Sequence, residues 1–136
     1  DVYFFEYIVE QDTFGVSYRY EELEGIYQQT LFAAEFFDAL QFRDYEDCIA
    51  MFDLEKTGIA SSEVVEILTE VNEANDGLRQ ADCIGFGYNE VMIQGNPTEV
   101  LTAYFELEFG AGMTTGDVHL FHSQEGLKVV GFALAQ

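Results

Sequence analysis

The sequence predicts an α+β domain over residues 21–136, a run of helices followed by a four-stranded antiparallel meander. Three observations predict it. Apolar residues recur at helical spacing between Glu21 and Gly77, the period changes to two after Gly77, and the segments dividing the second half carry turn chemistry. At 136 residues, with 49% apolar residues, 13 Phe and 8 Tyr, the chain is long enough to bury one ordinary hydrophobic core.

Residues 2–9 (VYFFEYIV) and 14–20 (FGVSYRY) flank the polar QDT and predict a β-hairpin. Phe14, Val16, Tyr18 and Tyr20 share one face of the second arm. The first arm is apolar on both faces, so residues 1–20 are expected to form an appendage for packing or dimerisation, outside the domain at 21–136.

A first helix is expected over 22–41, because Ile26, Thr30, Ala33, Phe37 and Leu40 form one stripe, widened by Tyr27, Leu31 and Ala34. Asp44 is placed as the N-cap of a second helix with Tyr45, Cys48, Ile49 and Phe52 inward, and Lys56–Gly58 ends that unit. Ser61 or Ser62 should cap a third helix over 62–74, whose stripe is Val64, Ile67, Leu68 and Val71. Gly77 suits the left-handed position that stops it.

Strands are expected at 79–94, 98–109, 114–122 and 127–135, separated by GNP (95–97), GAG (110–112) and SQEG (123–126). In the second strand Leu101, Ala103, Phe105, Leu107 and Phe109 face one way, and Thr102, Tyr104, Glu106 and Glu108 the other. Gly85-Phe86-Gly87 is a lone GxG inside a strand, suited to bending a sheet and not to holding a dinucleotide.

The charge is the most unusual quantity: 26 acidic residues face Arg19, Arg43, Lys56, Arg79 and Lys128, for a net charge of −21. Such a chain repels nucleic acid and anionic membrane, which bind through clustered Lys and Arg. No stretch reaches the roughly 18 consecutive apolar residues of a membrane-spanning helix. Cys48 and Cys83 lack metal or redox spacing, leaving buried thiols or a single Cys48–Cys83 disulfide, and the latter would require export. The chain opens on Asp1, as a processed or trimmed N-terminus would, and an exported or periplasmic setting is expected over a cytoplasmic one.

Two segments carry a family resemblance. AAEFFDALQFRDYEDCIAMFD resembles the helix-pair opening of small bacterial proteins on the cystatin-like fold in its nuclear transport factor 2-like form. HLFHSQEGLKVVGFALAQ resembles their closing hairpin, with Leu127 where those families usually carry Trp and Lys128, Val129, Val130 and Gly131 in place. The resemblance covers about 30–136 and implies a curved sheet wrapped around helices as a cone. Proteins on that fold include isomerases, dehydratases, carriers, interaction modules and exported bacterial proteins of unknown function, so it specifies the fold alone.

Candidate chemistry is sparse. Asp117 and His119 share a strand face, His122 points the other way, and Tyr88, Glu90, Tyr104, Glu106 and Glu108 could meet them from neighbouring strands. Catalysis would draw on His119, Asp117, Tyr88 and Tyr104; no cofactor and no metal site is expected, and Asn72–Gly77 fails as a calcium loop because Ala74 fills a ligand position. The leading expectation is a non-enzymatic module binding a small apolar ligand or a protein partner in the cone, as a homo-oligomer. An isomerase- or dehydratase-like enzyme and a structural subunit joined through residues 1–20 are the alternatives.

Overall fold

The structure, a computed structural model, describes residues 20–135, with side chains described from Gly25. The hairpin expected over residues 1–20 therefore lies outside the described residues, save for Tyr20 at the start of the first helix. Among the described residues the elements run α1 (Tyr20–Gln41), α2 (Tyr45–Met51), α3 (Leu54–Thr57), α4 (Ser61–Ala74), then β1 (Leu78–Ile93), β2 (Asn96–Phe109), β3 (Gly112–Ser123) and β4 (Gly126–Leu134). The strands form one antiparallel sheet in the order β1-β2-β3-β4, with helices packed on one face. Among the described residues no helix is long and apolar enough to cross a membrane.

In α1 the buried stripe is Ile26, Ala33, Phe36, Phe37 and Leu40. Tyr27 and Leu31, expected to widen it, are 57% and 39% exposed, because Phe36 draws the contact face around to its own side of the helix. Asp44 caps α2 as expected, its Oδ1 accepting the Asp47 N–H at 3.3 Å. The short helix α3 went unforeseen although it has clear signals: Asp53 Oδ1 accepts the Lys56 N–H at 3.0 Å, and Gly58 closes it in the left-handed region at φ +73°. Neither Ser61 nor Ser62 caps α4. Ala60 occupies that position, its N–H donating to Glu63 Oε1 at 3.2 Å, so one half of a capping box replaces the expected hydroxyl cap.

Asn72 stands where the α4 stripe of Val64 and Leu68 would next bury an apolar side chain, and it is 1% exposed. Its Nδ2 donates to Leu40 O and to Tyr45 Oη, both at 3.0 Å, while its Oδ1 accepts the Leu78 N–H at 3.1 Å. One amide thus ties the end of α1, the start of α2 and the start of β1 to α4.

The first hairpin turns on Gln94 and Gly95, at φ +49° and +80°, and not on Gly95–Pro97. Two left-handed residues match the twist of the flanking strands, so Asn96 and Pro97 begin β2 instead. Pro97 is tolerated because its stretch of β2 pairs with β1 alone, the β3 register starting at Leu101. Register shifts between Cys83 and Gly85 on β1, and opposite His119–Leu120 on β4, bend the sheet.

The inner face of the sheet meets the helices through an aromatic cluster. Phe37 lies 4.6 Å from Phe105, and Phe36 lies 5.6 Å from Phe37, 5.7 Å from Phe52 and 5.5 Å from Phe132, centroid to centroid. These rings occupy the space in which the cone's ligand cavity was expected. The outer face has its own smaller cluster, Ile93, Val100 and Val130 with Val91 and Phe121, at the end of the sheet near the Gln94 turn. The β4 edge is sealed by a parallel bridge from Phe52 to Val129, by the Asp53 N–H donating to Val129 O at 2.9 Å, and by Lys128 Nζ donating to Ala50 O at 3.2 Å.

Cys48 and Cys83 are not bonded to one another. The Cys48 thiol on α2 points to Phe36 O and the Cys83 thiol on β1 to Gly85 O, at 3.9 and 3.6 Å. The two sulfurs thus serve separate elements, and the disulfide alternative is replaced by a pair of thiols.

Candidate functional site

Period-two alternation sorts the candidate residues by face. Cross-strand pairing places Gly85 beside Tyr104, Tyr104 beside Asp117, and Asp117 beside Ala133, one row across all four strands on the outer face. The next row, Gly87, Thr102, His119 and Gly131, lies on the same side. Asp117, His119 and Tyr104 therefore come together as expected. Tyr88 does not join them, since it pairs with Leu101 on the inner face and its ring stacks edge-on 6.4 Å from Phe86. Glu90 follows Tyr88 to that side, and His122 lies there too, opposite His119. Glu106 and Glu108 stand on the outer face but run away from His119, exposed beside Thr115 and Met113.

Small residues at the flanking strands make the outer face concave. A Cβ at Gly131 would lie 2.8 Å from His119 Cδ2, so only glycine lets the imidazole lie flat over β4. A Cβ at Gly87 would lie 3.9 Å from Tyr104 Cε2, which puts the phenol ring over β1. Gly85 is buried, yet a Cβ there would meet no atom within 4 Å. It points into open space. That space is a groove of about 750 Å³ whose described walls are Ile84–Gly87, Tyr104, Thr115–Asp117 and Ala133–Ala135.

Beside the groove runs a hydrogen-bonded chain. Asn89 Nδ2 donates to Thr102 Oγ1 at 2.8 Å, and the same oxygen lies 2.8 Å from His119 Nδ1. Thr102 Oγ1 thus bridges the Asn89 amide and the His119 imidazole. Thr102 is fully buried, although alternation alone assigned it to a solvent face. This chain was missed at the sequence level. Its one readable signal is that Val100 and Phe121 are apolar at outward positions, implying a second buried surface around Thr102, which Val130 joins through the register shift on β4.

The groove's own electrostatics are simple. Asp117 is the one charged side chain among its described walls, and no described residue donates a hydrogen bond to it. The described basic residues are engaged elsewhere. Lys56 Nζ lies 4.4 Å from the Phe121 ring centroid, Lys128 binds Ala50 O, and the Arg43 and Arg79 guanidinium groups lie against Gly77 and Gly110. Among the described residues no three His, Cys, Asp or Glu side chains converge as a metal site. No protein family, curated protein or solved structure matches the chain.

Proposed function

We propose that this protein is a non-catalytic binding module that holds a small apolar molecule on the outer face of its sheet. The observation that carries this is the groove itself. Its volume of about 750 Å³ falls within the roughly 300–1,000 Å³ of small-molecule sites, its floor is glycine and alanine backbone, and its polar side chains are Tyr104, Thr115 and Asp117. The scaffold is proposed to be cystatin-like, in the nuclear transport factor 2-like form. The helices-then-meander order and the EGLKVVGF ending support that scaffold, but the ligand site moves from inside the cone, where Phe36, Phe37 and Phe132 pack, to its outside.

A neutral fluorescent probe, N-phenyl-1-naphthylamine, tests the site. It should bind saturably, and Gly85→Leu, which fills the open space above Gly85, should weaken binding about tenfold or more, the equivalent of blocking one well-packed contact surface. Unchanged circular dichroism and melting would show the variant folded. Absence of saturable binding, or equal binding by the folded variant, would overturn the assignment.

One observation favours the isomerase-like alternative: Asp117 faces Tyr104 directly across β2 and β3, a carboxylate base opposite a phenol donor. It predicts exchange of an α-proton of a bound ketone in heavy water, lost in Asp117→Asn. An exchange rate equal to that of buffer would remove it. Assembly through residues 1–20 concerns residues outside those described.

A further inference from the structure

We propose that the ligand of this groove is an amphipathic cation, a compact apolar body carrying one protonated amine. The inference rests on the outer-face groove being the binding site and names the chemistry it selects.

Its basis is the isolation of Asp117. The carboxylate is half-buried in a row whose cross-strand neighbours are Tyr104 and Ala133, and no described residue donates to it. A carboxylate in such surroundings forgoes part of its hydration without gaining a partner among the described residues, and a ligand ammonium would supply one. Tyr104 adds to the same preference. Its ring leans over Gly87 at the groove wall, 39% exposed, and an aromatic face beside a carboxylate attracts a cation a second time through its quadrupole.

The field of the whole molecule points the same way. A net charge of −21 raises the local concentration of cations and excludes anions at every approach. An anionic ligand, such as a fatty acid or a carboxylate metabolite, would meet Asp117 with like charge on an apolar floor. A neutral ligand would leave Asp117 unpartnered beneath it. Only a cation satisfies both the wall and the floor.

Indole compounds provide a direct test because the chain contains no Trp, so the fluorescence anisotropy of an indole probe reports binding without protein background. Tryptamine, tryptophol and indole-3-acetate differ in one group: ammonium, hydroxyl, carboxylate. The expected order is tryptamine about tenfold or more tighter than tryptophol, the advantage of a charge-assisted hydrogen bond, with indole-3-acetate weakest. Asp117→Asn should bring tryptamine and tryptophol to within about twofold of each other, and Gly85→Leu should weaken both. If both bind equally to wild type and both are lost in Gly85→Leu, the groove stands and the cation preference falls. A tryptamine preference that survives Asp117→Asn would assign it to the general negative field and overturn the role of Asp117. If none binds, or Gly85→Leu changes nothing, the groove assignment itself fails.

Discussion

At the scale of single residues the side chains that matter are those whose partners come from far along the chain. Cys48 shows how a residue with no motif acquires a distinct property. It is fully buried on α2, and that burial first, then the nearby Asp44 and Asp47 carboxylates, pushes its thiol up to about 12 from an ordinary value of 9.0. A group whose folded value lies above its unfolded one stabilises the fold fully below the unfolded value and loses that contribution as pH rises toward the folded one. Stability should therefore fall as pH rises from about 9 toward about 12, and the decline in urea midpoint across that window should be shallower in Cys48→Ala. Parallel declines would show that the thiol has no part in it. The composition already favoured a buried thiol, since unpaired cysteine is among the most buried residue types, but the acceptor Phe36 O and the acidic neighbours depend on how α1 and α2 meet.

At the scale of elements, the joints proved more informative than the elements themselves. Asn72 holds three of them through its side-chain amide. Replacing it with Ala strands Leu40 O and the Leu78 N–H in a buried site, at about 1–3 kcal/mol for each group left without a partner. Asn72→Ala should lower unfolding free energy by about 3 kcal/mol, read as a reduced urea midpoint with an unchanged slope, and a loss under about 1 kcal/mol would mean that water replaces the amide. The elements were largely legible: α1, α2, α4 and the four strands fall within a few residues of their expected bounds, because period and turn chemistry are local properties. What was not legible depends on three-dimensional juxtaposition. Asn72 at a stripe position could have been flagged from the sequence; that Leu40, Tyr45 and Leu78 surround it could not. Asp117 and His119 were foreseen on one face, since alternation along β3 fixes it, with Tyr104 one of five possible partners, whereas the groove beside them depends on where Gly85, Gly87 and Gly131 fall in a bent sheet.

At the scale of the whole molecule, charge dominates. Residues 21–76 carry 15 carboxylates against Arg43 and Lys56, so the helical layer is strongly self-repelling. Raising ionic strength from about 0.01 M to about 0.15 M shortens the screening length from about 30 Å to about 8 Å. The melting temperature should rise by about 4 °C over that interval, as roughly 1 kcal/mol of relieved repulsion would produce in a domain of this size. A flat or falling curve would show that the carboxylates are already compensated. Charge also bears on the seal along β4. Its two halves, Phe52–Asp53 and Val129, are remote in sequence, so loop-closure entropy opposes their junction in the unfolded chain. Until it closes, the last strand offers bare backbone to any neighbouring chain, and mutual repulsion between nascent copies keeps them apart over that interval. The acidity that strains the finished fold is thus also a safeguard against misassembly while the fold is being completed.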